Sequence, residues 1–204
     1  MKMTYLIITS VVIGALVFSF SKNNKNKASP SVVINRPRQN DTIPKSQDKD
    51  NPYEGLRSMA LNVTPEQLQL TIPNDITKVY GVIMDLDLGK GIGTFVSFET
   101  GDASMYLSNG GGMIGGQAHQ NVQYAAKEFV SIAQTFLDKT SRADNTPLPD
   151  KNCVRFYLLT NKGKFSAQEK LENIDNNSSI WLPLFIAGNK VANELSKTEA
   201  KPIN

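Results

Sequence analysis

The chain has 204 residues, 40% hydrophobic and 20% charged, with one cysteine and one histidine, so it is neither wholly disordered nor fibrous. An intramolecular disulfide and a histidine-rich metal site are excluded as well. The net charge of +3 is uneven: residues 1–50 hold eight basic against three acidic side chains, and residues 51–204 hold fourteen against sixteen, so no nucleic-acid partner is expected.

Residues 4–21 carry no charge and are dominated by Leu, Ile, Val and Phe. As a helix they would extend about 27 Å, close to a bilayer core of about 30 Å. Lys2 precedes the run and Lys22, Lys25 and Lys27 follow it. Two readings compete: an uncleaved anchor, and a secretory signal with Ser19-Phe20-Ser21 as its cleavage site. No cysteine follows the run, which closes the lipoprotein route, and Ser-Phe-Ser is a poor match to Ala-x-Ala. The anchor is therefore preferred. Lysines after the run favour a cytoplasmic domain, and each can meet anionic headgroups for about 1 kcal/mol. The expectation is a single-pass membrane protein touching lipid through residues 4–21 and the adjacent lysines. The alternative is a periplasmic or secreted domain after signal cleavage.

With residues 1–21 as the membrane segment, residues 22–51 read as a polar, disordered linker. They carry Pro30, Pro37 and Pro44, and only Val32-Val33-Ile34 interrupts their polarity. A globular α+β domain follows over residues 52–198, then a tail over 199–204. A short helix is expected at 53–61. Thr64-Pro65-Glu66-Gln67 predicts a second helix start, with Thr64 and Gln67 as a capping box. Residues 78–88 give the strongest strand alternation, Tyr80, Val82, Met84, Leu86 and Leu88 against Val79, Gly81, Ile83, Asp85 and Asp87.

Gly89-Lys90-Gly91 turns the chain into a strand at 92–98, with Ile92, Thr94, Val96 and Phe98 on one face. Thr100-Gly101-Asp102 turns it again into 103–108, completing a three-stranded antiparallel meander. Residues 121–139 read as the main amphipathic helix, with Val122, Ala125, Ala126, Phe129, Val130, Ile132, Ala133 and Phe136 as its stripe. Strands at 153–160 and 164–169 pair through Asn161-Lys162-Gly163. A last helix, capped by Ser178 or Ser179, tolerates Pro183 in its first turn. The order is α-β-β-β-α-β-β-α around an antiparallel sheet of about five strands.

The best candidate for ligand or partner contact is the glycine-rich loop, through Gly110, Gly111, Gly112, Gly115 and Gly116, with His119 beside it. Gly110, Gly112 and Gly115 satisfy G-x-G-x-x-G, but the preceding strand ends a meander and the next strand ends in no acid for a ribose. The competing reading is a tight crossover from sheet to helix. His119 is a proton carrier or an exposed helix-entry residue. Asp85 and Asp87 share a strand face about 7 Å apart, making them weak metal candidates at a solvated strand end. Cys153 reads as a small buried hydrophobe, and no motif joins it to His119. Trp181 and Phe185 read as core. Sequons at Asn62, Asn176 and Asn177 matter only on a eukaryotic secretory route.

No catalytic residue, cofactor or resident metal is expected. The element order resembles profilin-like folds such as roadblock or longin domains, although those split their strands two and three about the central helix, not three and two. The resemblance implies a non-enzymatic scaffold whose sheet or helix face docks a partner, and it carries over no functional residue. The expected function is a membrane-tethered binding or interaction domain, bacterial, with a protein partner. The alternative is a small-molecule or anion-binding sensor or enzyme using the loop 110–116.

Overall fold

The strand with the strongest alternation forms the centre of the sheet. In the computed structural model, which describes residues 52–198, strand β1 (Val79–Asp87) is flanked on both sides by antiparallel partners. The expected membrane segment, linker and tail lie outside the described residues. Among those described, no helix is long and apolar enough to cross a membrane.

Chain order runs α1 (Tyr53–Leu61), β1, β2 (Ile92–Phe98), β3 (Ala103–Leu107), β4 (Gly112–Ile114), α2 (Gln120–Gln134), β5 (Ser141–Arg142), β6 (Cys153–Thr160), β7 (Gly163–Lys170), α3 (Leu171–Asp175) and α4 (Leu182–Thr198). The strands form one antiparallel sheet in the order β4-β3-β2-β1-β6-β7-β5. The fold is thus α+β with an antiparallel sheet, but it has seven strands rather than about five. The extra strands are both edges: β4 comes from the glycine-rich stretch, and β5 from two residues that pair with Ser166 and Phe165.

The sheet is covered on both faces, which explains the near-continuous burial of β1, β2 and β6. On one face α2 and α4 close over Val82, Met84, Leu86, Phe95, Met105, Val154, Phe156 and Leu158. Trp181 lies between Phe136 and Phe156, with ring centroids 5.3 and 5.9 Å away, so it is core as expected. On the other face α1 and the segment after it cover Ile83, Val96, Phe98, Tyr106, Tyr157 and Leu159. Tyr80 joins this second cluster rather than Val82, Met84 and Leu86. A bulge between Val79 and Gly81 in the pairing with β6 breaks the strict two-residue period and turns it over.

The capping box at Thr64 forms, with Thr64 N donating to Gln67 Oε1 at 2.9 Å and Gln67 N to Thr64 Oγ1 at 3.4 Å. The expected helix does not follow. Gln69 adopts φ +57° and Leu70 N bonds back to Pro65 O, so one turn closes and stops. Pro73 biases the residue before it toward extended backbone, and Leu68, Leu70 and Ile72 are drawn onto the α1-side cluster. The main helix also ends early, at Gln134, where Thr135 Oγ1 donates to Ile132 O at 2.8 Å; Leu137–Lys139 continues only as a 3-10 turn.

Ser179 is the capping serine, its Oγ accepting Trp181 N at 3.0 Å. The same hydroxyl donates to Glu169 Oε2 at 2.6 Å, and Asn173 Nδ2 donates to the other oxygen at 2.8 Å. Burial alone would raise the Glu169 pKa, but the hydrogen bonds from Ser179 and Asn173 outweigh it and hold the carboxyl below its ordinary range. A depressed folded pKa contributes stability above the ordinary carboxylate range, which is lost as the pH falls through the folded value. Ser179→Ala is therefore expected to cost about 1 kcal/mol at neutral pH, and less in acid, in denaturant titrations at the two pH values.

Candidate functional site

The glycine-rich stretch forms the end of a four-stranded meander. After β3, Gly110 N donates to Leu107 O at 3.0 Å and Leu107 N donates to Gly111 O at 3.1 Å, reversing the chain into β4. Gly110, Gly111 and Gly115 have φ of +100°, +91° and +93°, a region that strains any side chain. Gly112 and Gly116 are needed for closeness instead. A Cβ on Gly112 would run into Met105 O, and one on Gly116 would lie 2.5 Å from Val122 Cγ1 and 2.9 Å from Leu195 Cδ2. Each of the five glycines thus has a local backbone or packing reason.

His119 is exposed and stands in extended backbone at the start of α2, with no side-chain capping bond. It stands three residues after Gly116, across the 3-10 turn Gly116–Ala118. Cys153 is not brought near these residues. It opens β6, four strand positions from β4, or about 19 Å at strand spacing. It is buried, and burial followed by the Asp150 charge pushes its thiol pKa up, away from nucleophilic character.

The acid pair needs correction. Asp85 is not at a solvated strand end but fully buried. Its Oδ2 accepts Arg57 Nε at 3.0 Å and Nη2 at 2.5 Å, and its Oδ1 accepts the Thr94 hydroxyl at 2.5 Å. With Thr94 donating to Asp85, the Tyr53 hydroxyl donates to Thr94 Oγ1 at 2.9 Å. Arg57 also donates to Thr146 O at 3.0 Å and Pro147 O at 3.3 Å. Tyr157 donates to the same Pro147 carbonyl, and its ring centroid lies 5.6 Å from the guanidinium. Asp87 is occupied separately, by Gly89 N at 2.9 Å and Asn152 N at 2.6 Å.

This network ties α1 to β1, β2 and the strap at residues 143–152. Burial on its own would weaken the Arg57 charge, but Asp85 outweighs it and raises the guanidinium pKa. Burial raises the Tyr53 and Tyr157 hydroxyls too, so both remain neutral donors. The Asp85 carboxylate at the centre of this network has no exposed surface. Its chemistry is that of a clamp. Among the described residues, no group of three or more His, Cys, Asp or Glu side chains is placed to hold a metal ion. Tyr53, Arg57 and Leu61 fall on one side of a helix, and Asp85 interrupts an apolar strand. Those two facts were the available signal for the pair.

The outer surface separates the two sheet edges. At the β5 edge Arg142 and Asp144 form an ion pair at 3.9 Å, the charged protection usual for an unpaired strand. The β4 edge has none, since no Asp, Glu, Lys or Arg occurs from Ala103 to Ala126. That segment also holds the two most exposed large apolar side chains among the described residues, Ile114 at 71% and Tyr124 at 67%. The bond from Leu107 N to Gly111 O sets the bonded rungs of β3 and β4, so the peptide groups of Gly112 and Ile114 point outward from the edge. An open depression lies at the β6–β7 end, lined by Asp150, Lys151, Cys153, Gln168, Glu169 and Lys170.

No protein-family model matches the chain, and no curated protein or solved structure matches it.

Proposed function

We propose that residues 52–198 form a protein-docking domain held at a membrane by residues 4–21, with the β4 edge and its glycine-rich turn as the docking surface. The observation that carries this reading is the charge-free segment from Ala103 to Ala126, which leaves Ile114 71% exposed beside outward-facing peptide groups. Interface cores are depleted of charge, and an unpaired edge offers main-chain bonds to an added strand. The satisfied Arg57–Asp85 clamp supports a rigid scaffold rather than a reaction centre.

Capture by the full-length protein from native membranes tests the reading. Ile114→Lys, a change at an exposed side chain, is expected to reduce specific partner recovery by about tenfold or more, roughly 1.4 kcal/mol. Leu148→Lys, at an exposed position in the strap between β5 and β6 and outside the segment 103–126, should leave recovery unchanged. Equal recovery with both variants, or no specific partner at all, overturns the proposal. Fractionation with an N-terminal mass measurement tests the placement: retention of residues 1–21 in the membrane fraction supports the anchor, and their loss supports a cleaved signal. The alternative, an anion or small molecule at Gly110–Gly116 and His119, would rely on main-chain amides and one histidine, since no Lys or Arg lies within the segment.

A further inference from the structure

We propose that Asn109 is a site of spontaneous, water-driven deamidation. It is the one asparagine in the chain followed by glycine. Asn109 and Gly110 are both exposed, and no hydrogen bond within the described residues holds the Asn109 carboxamide. Nothing lies within 4 Å of where a Cβ on Gly110 would be, so the following nitrogen is free of side-chain obstruction.

The chemistry needs no enzyme. Gly110 N gives its proton to solvent base and attacks Asn109 Cγ, forming a new C–N bond. The Cγ–Nδ2 bond breaks, Nδ2 leaves as ammonia, and a five-membered imide results. Water then opens the ring at either carbonyl, giving aspartate or an isoaspartyl linkage. One water is consumed, one ammonia is released and nothing is oxidised or reduced.

The fold opposes one step only. Gly110 N–H donates to Leu107 O at 3.0 Å, so the turn must open before the nitrogen can attack. Openings of exposed turns with few packed side chains cost least, and Gly111 and Gly112 follow directly. Two other asparagines among the described residues are held more firmly. Asn121 lies in α2 before the branched Val122, and Ser178 N, after Asn177, is engaged by Asn173 O at 3.0 Å and Asn176 Oδ1 at 2.9 Å. Either product places a carboxylate in the segment that has no charged side chain. The isoaspartyl form also adds a methylene to the main chain just before β4.

Ageing the purified full-length protein in mildly alkaline buffer, with peptide mapping and enzymatic isoaspartyl methylation, tests the site without reference to any partner. Asn109 should convert ahead of Asn121 and Asn177, and Asn109→Gln should remove the isoaspartyl signal. Conversion of Asn121 or Asn177 first overturns the proposal, as does an undiminished signal in Asn109→Gln. So does an Asn109 that stays intact in the folded chain over a period in which the urea-unfolded chain has converted it.

Discussion

Replacing Arg57 by alanine is expected to destabilise the domain by about 3–5 kcal/mol, the cost of leaving a buried carboxylate without its partner. Asp85 is fully buried and would keep only the Thr94 hydroxyl, while the carbonyls of Thr146 and Pro147 would lose their guanidinium donors. Set against a total stability of about 5–15 kcal/mol, this single change removes a large share of it. Denaturant titration of the full-length protein, followed by the fluorescence of Trp181, measures it. Trp181 lies on the opposite face of the sheet, so a shifted transition there shows that the clamp is coupled to the whole fold. A cost below about 1 kcal/mol would show that the pair is dispensable. The double change Arg57→Met with Asp85→Leu should be less harmful than Arg57→Ala, because apolar replacement of both partners leaves no orphaned charge. Thr94 and Tyr53 would still hold each other.

The clamp also shows where sequence reasoning stops. The alternation of Val82, Met84 and Leu86 and the stripe of α2 were legible because one repeating spacing meets one buried face. Asp85 shares a strand face with Asp87 in any such reading, and only its place inside an apolar strand hints that it meets arginine rather than water. The difference is made by Arg57, which lies 28 residues earlier in the chain. Tyr80 was misplaced for a related reason, because its bulge is defined by the partner strand β6 and not by β1 itself. The capping box at Thr64 shows a third limit. Its local bonds form as the residues dictate, yet the contacts of Leu68, Leu70 and Ile72 with the sheet decide that no helix follows. At the glycine-rich loop the sequence located the stretch but not its pairing. Gly112 and Ile114 became strand residues through Tyr106 and Ser104.

Phe129→Ala is the second change expected to cost about 3–5 kcal/mol, here through a cavity rather than a charge. Phe129 has no exposed surface and sits on the face of α2 that meets α4 and the sheet. Gly188 shows how closely α4 approaches: a Cβ there would lie 2.7 Å from Met84 Sδ and 3.1 Å from Phe129 Cζ. Helices held at that distance by a glycine have little freedom to collapse into the space left by a lost ring. The deletion should therefore fall in the upper part of the range for aromatic truncations. Tyr124→Ala, on the same helix but 67% exposed, provides the contrast. It should change stability by no more than about 0.5 kcal/mol, because its ring contributes almost nothing to the core. Denaturant midpoints of the two variants, each compared with the parent protein, measure the difference. Comparable losses would mean that α2 is held by its outer face as well as its inner one. A large loss for Phe129→Ala alone would assign the stability of the layer to the buried stripe, leaving Tyr124 free to serve an interaction surface.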